Sequence, residues 1–102
     1  MEMKIIRWEG PLAPEEGRLK KQLVSEGYEV FKWADSAGTK YGEHHHEGHE
    51  SIWVVEGMIE FDIRGEKLQL GPGDRLFLPS GTEHTSLVPG PENCFYLVGQ
   101  KE

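Results

Sequence analysis

Two patterns of apolar and polar positions divide the chain. Ile59, Phe61 and Ile63 alternate with Glu60 and Asp62, and Leu68 and Leu70 alternate with Lys67 and Gln69. A period of two predicts strands with one wet face. By contrast, Ile52–Val55, Leu76–Leu78 and Phe95–Val98 are apolar at every position, the pattern of strands covered on both sides. Tyr28–Ala34 is a further predicted strand, followed by a turn at Asp35–Gly38. Others are expected at about 39–46, 50–56 and 83–88. Turn signals separate them: Glu56-Gly57, Arg64-Gly65-Glu66, Gly71-Pro72-Gly73-Asp74, Pro79-Ser80-Gly81 and Pro89-Gly90-Pro91.

The N-terminal part reads differently. Residues 3–8 form a short apolar piece expected to be an edge strand, broken at Gly10-Pro11. Residues 14–26 are the one predicted helix. Pro14 suits its first position, Glu15 and Glu16 favour its N-terminal dipole, and Gly27 can close it. Leu19, Leu23 and Val24 make a narrow apolar stripe, and Lys20 and Lys21 a solvated face. The expectation is one all-β domain over 1–102, with an N-terminal strand and helix at 1–27 and a β core at 28–100. Parity with Ile52 and Val54 sends Trp53 and Val55 outward. One short helix and one edge strand look too small to cover that side, which predicts a homodimer with Trp53 at or near its interface.

Composition narrows the function classes. The 102 residues carry 18 acidic and 11 basic side chains, a net charge of −7 with neutral histidines. There is no Lys/Arg cluster, so a nucleic-acid face and an anionic membrane surface are both disfavoured. No apolar run approaches the roughly 20 residues of a membrane span. The lone cysteine, Cys94, allows no internal disulfide and reads as a small buried side chain, in keeping with a cytoplasmic protein.

The candidate chemistry lies between Gly38 and Gly57, which hold four of the five histidines. If residues 43–47 are extended, His44 and His46 project to one face and His45 to the other. Glu50 shares the parity of Ile52 and Val54. Two imidazoles and a carboxylate on one side of a sheet are good ligands for a divalent transition metal. His45 and His49 read as off-face, belonging to the surroundings of the site or its rim, while Glu43 and Glu83 point away and are solvated.

These residues resemble the cupin superfamily, specifically its small single-domain members. The first cupin motif is met by Gly38, His44, His46, Glu50 and Gly57, and the second by Gly73, Pro79, Gly81 and His84. Val88 stands where asparagine is common. The resemblance implies a conical antiparallel β-barrel, a double-stranded β-helix or jelly roll. It also implies one divalent transition metal per chain (Fe, Mn, Ni, Co, Cu or Zn) held by His44, His46, Glu50 and His84. Three neutral imidazoles and one carboxylate suit any of those ions and leave positions open in an octahedral geometry. The leading functional expectation is a metal-dependent enzyme of the dioxygenase, decarboxylase or isomerase kind, acting on a small polar or carboxylated molecule. A metal-assisted binding or sensing module and a purely structural metal are the alternatives. No general base is evident, and Trp33, Tyr41, Phe61 and Phe95 are candidate pocket residues.

Overall fold

The computed structural model describes residues 3–102 and divides the two kinds of strand between two sheets. In chain order the elements are β1 (Lys4–Ile6), α1 (Glu16–Ser25), β2 (Glu29–Asp35), β3 (Lys40–His44), β4 (His49–Glu56), β5 (Ile59–Ile63), β6 (Glu66–Leu70), β7 (Arg75–Leu78), β8 (His84–Leu87) and β9 (Cys94–Lys101). All pairings are antiparallel, in one sheet ordered β1-β7-β4-β9-β2 and another ordered β3-β8-β5-β6. The two face each other as a jelly-roll sandwich, with β1 at an edge as its length and position suggested. The wet-faced strands β5 and β6 lie in the four-stranded sheet, and the strands apolar on both faces lie at the centre of the five-stranded one.

Alternation sorts the side chains. Ile52, Val54, Leu76, Leu78, Tyr96 and Val98 turn inward and meet Ile59, Phe61, Ile63 and Leu70 of the opposite sheet in the main core. On the outer side, Leu97 joins Leu19 and Leu23 of α1 and Tyr28, with Val30, Trp53 and Val55 packed against them. The helix begins at Glu16 rather than Pro14, because Glu15 is still extended (φ −104°, ψ 121°). Gly99 breaks the apolar run of β9 for a steric reason: a Cβ there would stand 2.9 Å from the Tyr28 ring. Gly57, at φ +83°, makes the β4–β5 hairpin where a Cβ would also collide with the Asn93 carbonyl.

Polar side chains complete the outer cover. Arg75 is 5% exposed. Its Nη2 lies 2.6 Å from Glu26 Oε1, and its Nε donates to Ser51 Oγ at 2.7 Å. The guanidinium stacks over Trp53 (4.5 Å) and Phe77 (4.2 Å). Trp53 Nε1 in turn donates to the Gly73 carbonyl at 2.9 Å, and Lys101 Nζ reaches the Glu26 carbonyl beyond the end of α1. The side expected to need a second subunit is covered in part by α1, Tyr28 and Arg75 of the same chain, with Trp53, Val55 and Phe77 left partly exposed. The sequence undercounted this cover because long polar side chains, with apolar stems and stacking faces, contribute to it. Trp53 takes part in that packing while remaining partly exposed. Among the described residues, no helix is long and apolar enough to cross a membrane.

Two outcomes follow from this packing. Trp53→Glu is expected to unfold the protein, with loss of near-ultraviolet dichroism, because it places a charge under Arg75 and α1. A folded, fully dichroic variant of smaller sedimentation coefficient would show instead that Trp53 holds two subunits together. The second outcome concerns acid. The hydrogen bonds from Arg75 hold the Glu26 carboxyl below its usual value of 4.5, against the opposing pull of partial burial. A depressed folded-state pKa stabilises fully above the unfolded value, and that stabilisation is lost as the pH falls through the folded one. Glu26→Gln is therefore expected to start less stable at pH 7 but to lose less on acidification from pH 6 to 3. Parallel melting curves against pH would mean the pair contributes nothing.

Candidate metal centre

His44 closes β3 and His84 opens β8, and the two are cross-strand partners. Their ring centroids stand 4.3 Å apart. His46 lies 5.1 Å from His44 and 5.7 Å from His84 by the same measure. One ligand nitrogen from each of the three falls within 4.8 Å of the others. The expected trio is thus brought together, although by another route. The strand stops at His44, and His46 reaches the cluster through the bend that follows, while His45 remains exposed.

Backbone carbonyls orient two of the rings. His44 Nδ1 sits 2.6 Å from the Gly42 carbonyl and His84 Nδ1 2.9 Å from that of Thr82. A carbonyl only accepts, so in the neutral ring each Nδ1 carries the proton and each Nε2 keeps its lone pair. Fixing the tautomer this way is how ligating histidines are prepared. Burial lowers the His84 pKa, partly opposed by the Thr82 carbonyl, and so favours the neutral, ligating form.

Glu50 is buried beside this trio rather than inside it. Its Oε1 is 3.4 Å from His46 Nε2, and its Oε2 accepts a hydrogen bond from Gln100 Nε2 at 2.9 Å. His49 fastens the loop: its Nδ1 accepts from the Ser80 amide at 3.0 Å, while Ser80 Oγ donates to the Glu47 carbonyl and the Gly81 amide to that of His46. The bend carrying His46 is thereby stitched to the segment leading into His84. Glu43 and Glu83 are exposed, as their parity required.

The cluster opens on a cavity of about 240 Å³ between the sheets. Trp33, Tyr41 and Phe61 line it as anticipated, whereas Phe95 alternates to the outside and Tyr96 takes the place foreseen for it. Tyr41 and His44 are three residues apart yet both line the cavity, because a bulge in β3 shifts the register between them. Behind the wall lies Asp35, 6% exposed. It accepts hydrogen bonds from Tyr96 Oη at 2.6 Å and from Tyr41 Oη at 2.9 Å. Burial and then the Asp35 hydrogen bond push the Tyr96 phenol up, and the hydrogen bond to Asp35 does the same for Tyr41. Asp35 is the last residue of β2, not the turn residue its neighbours Ser36 and Gly38 suggested. The available signal was parity with Trp33. Cys94 is buried, its thiol pushed up to about 12, and is an inert core residue.

Tyr96→Phe tests the buried network. It leaves one Asp35 oxygen without its partner and is expected to cost about 1–3 kcal/mol in denaturant unfolding. Tyr41→Phe, at the half-exposed edge, is expected to cost less. An unchanged midpoint for Tyr96→Phe would refute the network.

Comparison with known proteins places this geometry in context. A family profile described as a cupin domain matches residues 32–99. The quercetin 2,3-dioxygenase of Bacillus subtilis (strain 168) is 37% identical over 49 residues, covering 47% of this chain and 14% of that enzyme. The DMSP lyase DddQ from Ruegeria pomeroyi DSS-3 superposes with a TM-score of 0.66 at 30% identity, over 72% of this chain and 37% of the other. The chain therefore spans well under half the length of either. A DUF861 family protein from Thermotoga maritima, at 20% identity and a TM-score of 0.64, matches 98% of this chain and 100% of its own, a likeness of fold alone.

Proposed function

The chain belongs to the cupin family, and on that footing we propose that it is a divalent-metal-dependent enzyme acting on a small polar or carboxylated molecule. His44 and His84 would hold the ion through Nε2 and His46 through a ring nitrogen, with Glu50 as the fourth ligand. One observation carries this reading: three imidazole nitrogens within 4.8 Å of one another converge at the wall of a 240 Å³ cavity. A purely structural metal would need no such cavity, and a donor set of three imidazoles and a carboxylate fits Fe, Mn, Ni, Co, Cu or Zn. When bound, such an ion would polarise an oxygen of the molecule it holds. The chain's own contribution is positional. The Gly42 and Thr82 carbonyls fix the imidazole tautomers, and Gln100 holds the carboxylate of Glu50 in place. Ile52, Phe61 and Val98 give the cavity apolar walls that limit water around a bound ligand.

A second reading, metal-assisted binding without turnover, has its own support. Both cavity phenols already donate to Asp35, so neither offers a proton without first breaking a hydrogen bond.

Metal analysis of protein purified without a metal-affinity step is the test. About one divalent ion per chain is expected. His44→Ala, His46→Ala and His84→Ala are each expected to weaken binding at least about tenfold, since each removes a direct ligand, whereas His45→Ala leaves it unchanged. Protons compete for the imidazole lone pairs, so affinity is expected to fall as the pH drops through about 6.5. Equal losses from His45→Ala and His46→Ala, or affinity constant from pH 8 to 5, would overturn the assignment. Consumption of a small carboxylic acid by the metal-replete protein, abolished in His84→Ala, would separate the enzyme from the binding module.

A further inference from the structure

The aromatic part of the cavity has a charge pattern that the metal reading does not use. Asp35 is buried at 6% exposure and makes no ion pair among the described residues. No lysine or arginine lines the cavity. Both phenolic protons facing this region are committed to Asp35, at 2.6 and 2.9 Å. The phenol oxygens therefore have only lone pairs left to offer. The faces of Trp33 and Phe61 add aromatic surface, negative at the ring centre. Trp33 remains 48% exposed although its cross-strand partner Tyr96 is buried, so its indole is available to a ligand. A carboxylate would be repelled here, and a neutral apolar group would leave the Asp35 charge uncompensated.

We infer that this region of the cavity is a subsite for a small organic cation, an ammonium or methylated onium group, held by Trp33, Tyr41 and Tyr96 in front of the carboxylate of Asp35, with Phe61, its ring 6.1 Å from that of His84, between the two ends. The inference deepens the proposed function by naming the substrate class: a small molecule with a metal-binding oxygen at one end and a positive charge at the other. Register makes the two ends distinct. Trp33 pairs with Tyr96, whereas Gln100, which pairs with Glu50, lies four residues further along β9, about 13 Å at a strand rise of 3.3 Å per residue. Tyr41 is nearer, its partner Ser86 being two residues from His84.

The cation end can be read without any metal. Choline and its neutral isostere 3,3-dimethylbutan-1-ol differ in replacing a charged nitrogen by carbon. Titrating each into the metal-free protein, with the indole and tyrosine resonances as reporters, is expected to show choline bound at least about fivefold more tightly, as a cation over aromatic faces requires. Asp35→Asn is expected to bring the ratio close to one. Because that variant replaces a buried hydrogen-bonded group, Trp33→Leu at the exposed wall provides a second reading, weakening choline more than the alcohol. Equal or tighter binding of the alcohol, or saturation by neither probe, would overturn the subsite. Metal titration of the same preparation reports separately on the His44–His46–His84 centre, so failure of one assignment is not mistaken for failure of the other.

Discussion

Burial of β4, β7 and β9 on both faces is the constraint from which the rest of the structure follows. A strand buried on one side can give the other to solvent, but Ile52–Val55 and Phe95–Val98 cannot. Their inward residues require a second sheet to face them, which the alternating strands β5 and β6 supply. Their outward residues require a lid, and α1 docks there through Leu19 and Leu23. The buried cation in that lid, Arg75, is tolerable because Glu26, Ser51 and the rings of Trp53 and Phe77 occupy its donors and its flat faces. Such a pair adds little net stability over an apolar packing, yet losing one partner would strand a buried charge. Arg75 and Glu26 consequently fix where the helix sits more than how strongly the sheet folds.

The same constraint shapes the inner face. Val54, Leu70 and Leu76 are fully enclosed and fill one part of the sandwich, while Ile52 and Val98 border the cavity. Glu50 and Gln100 are paired neighbours on β4 and β9 and continue the same inward rows past the apolar plug. The polar site is thus an extension of the core's own alternation, with position along the strand deciding whether an inward residue packs or binds. Rigid neighbouring strands hold Glu50 and His84, and only His46 depends on a loop. That loop is fastened to the segment ahead of β8 by the Gly81 amide on the His46 carbonyl and the Ser80 amide on His49 Nδ1.

Periodicity made most of this architecture legible. The one-faced and two-faced strands, the single helix and the hairpin glycines could all be read from residue type, and motif spacing brought His84 to His44 and His46. What stayed hidden depended on departures from regular phase. The bulge in β3 puts Tyr41 on the cavity side, where strict alternation from His44 would place it outside. His46 arrives through a bend, so its agreement with strand parity was right for the wrong local reason. Asp35 looked like a turn residue because short polar residues usually are, and only the cross-strand pairing Asp35↔Cys94 shows it inside a strand. The outer cover was underestimated because Tyr28, Glu26 and Arg75 bury surface with residues that a hydropathy pattern assigns to solvent.

The fit between the histidine cluster and a metal ion rests finally on hydrogen-bond accounting. Every fully buried side-chain nitrogen and oxygen among the described residues has a partner. The Nδ1 atoms of His44 and His84 are satisfied by backbone carbonyls, which leaves their Nε2 lone pairs as acceptors with no protein donor assigned. These atoms are not orphans of core packing, since the rings border the cavity. A group entering from the cavity could meet them together. A water molecule can donate to two of the three at most, whereas a divalent cation accepts all three and also gains from the adjacent Glu50 carboxylate. Asp35, each of whose oxygens accepts one phenolic proton, has no ion-pair partner among the described residues, which on the proposed reading favours a cation nearby. On the proposed reading the cavity would join two electron-rich regions that differ in what they accept: a metal ion among lone pairs, and an organic cation among aromatic faces.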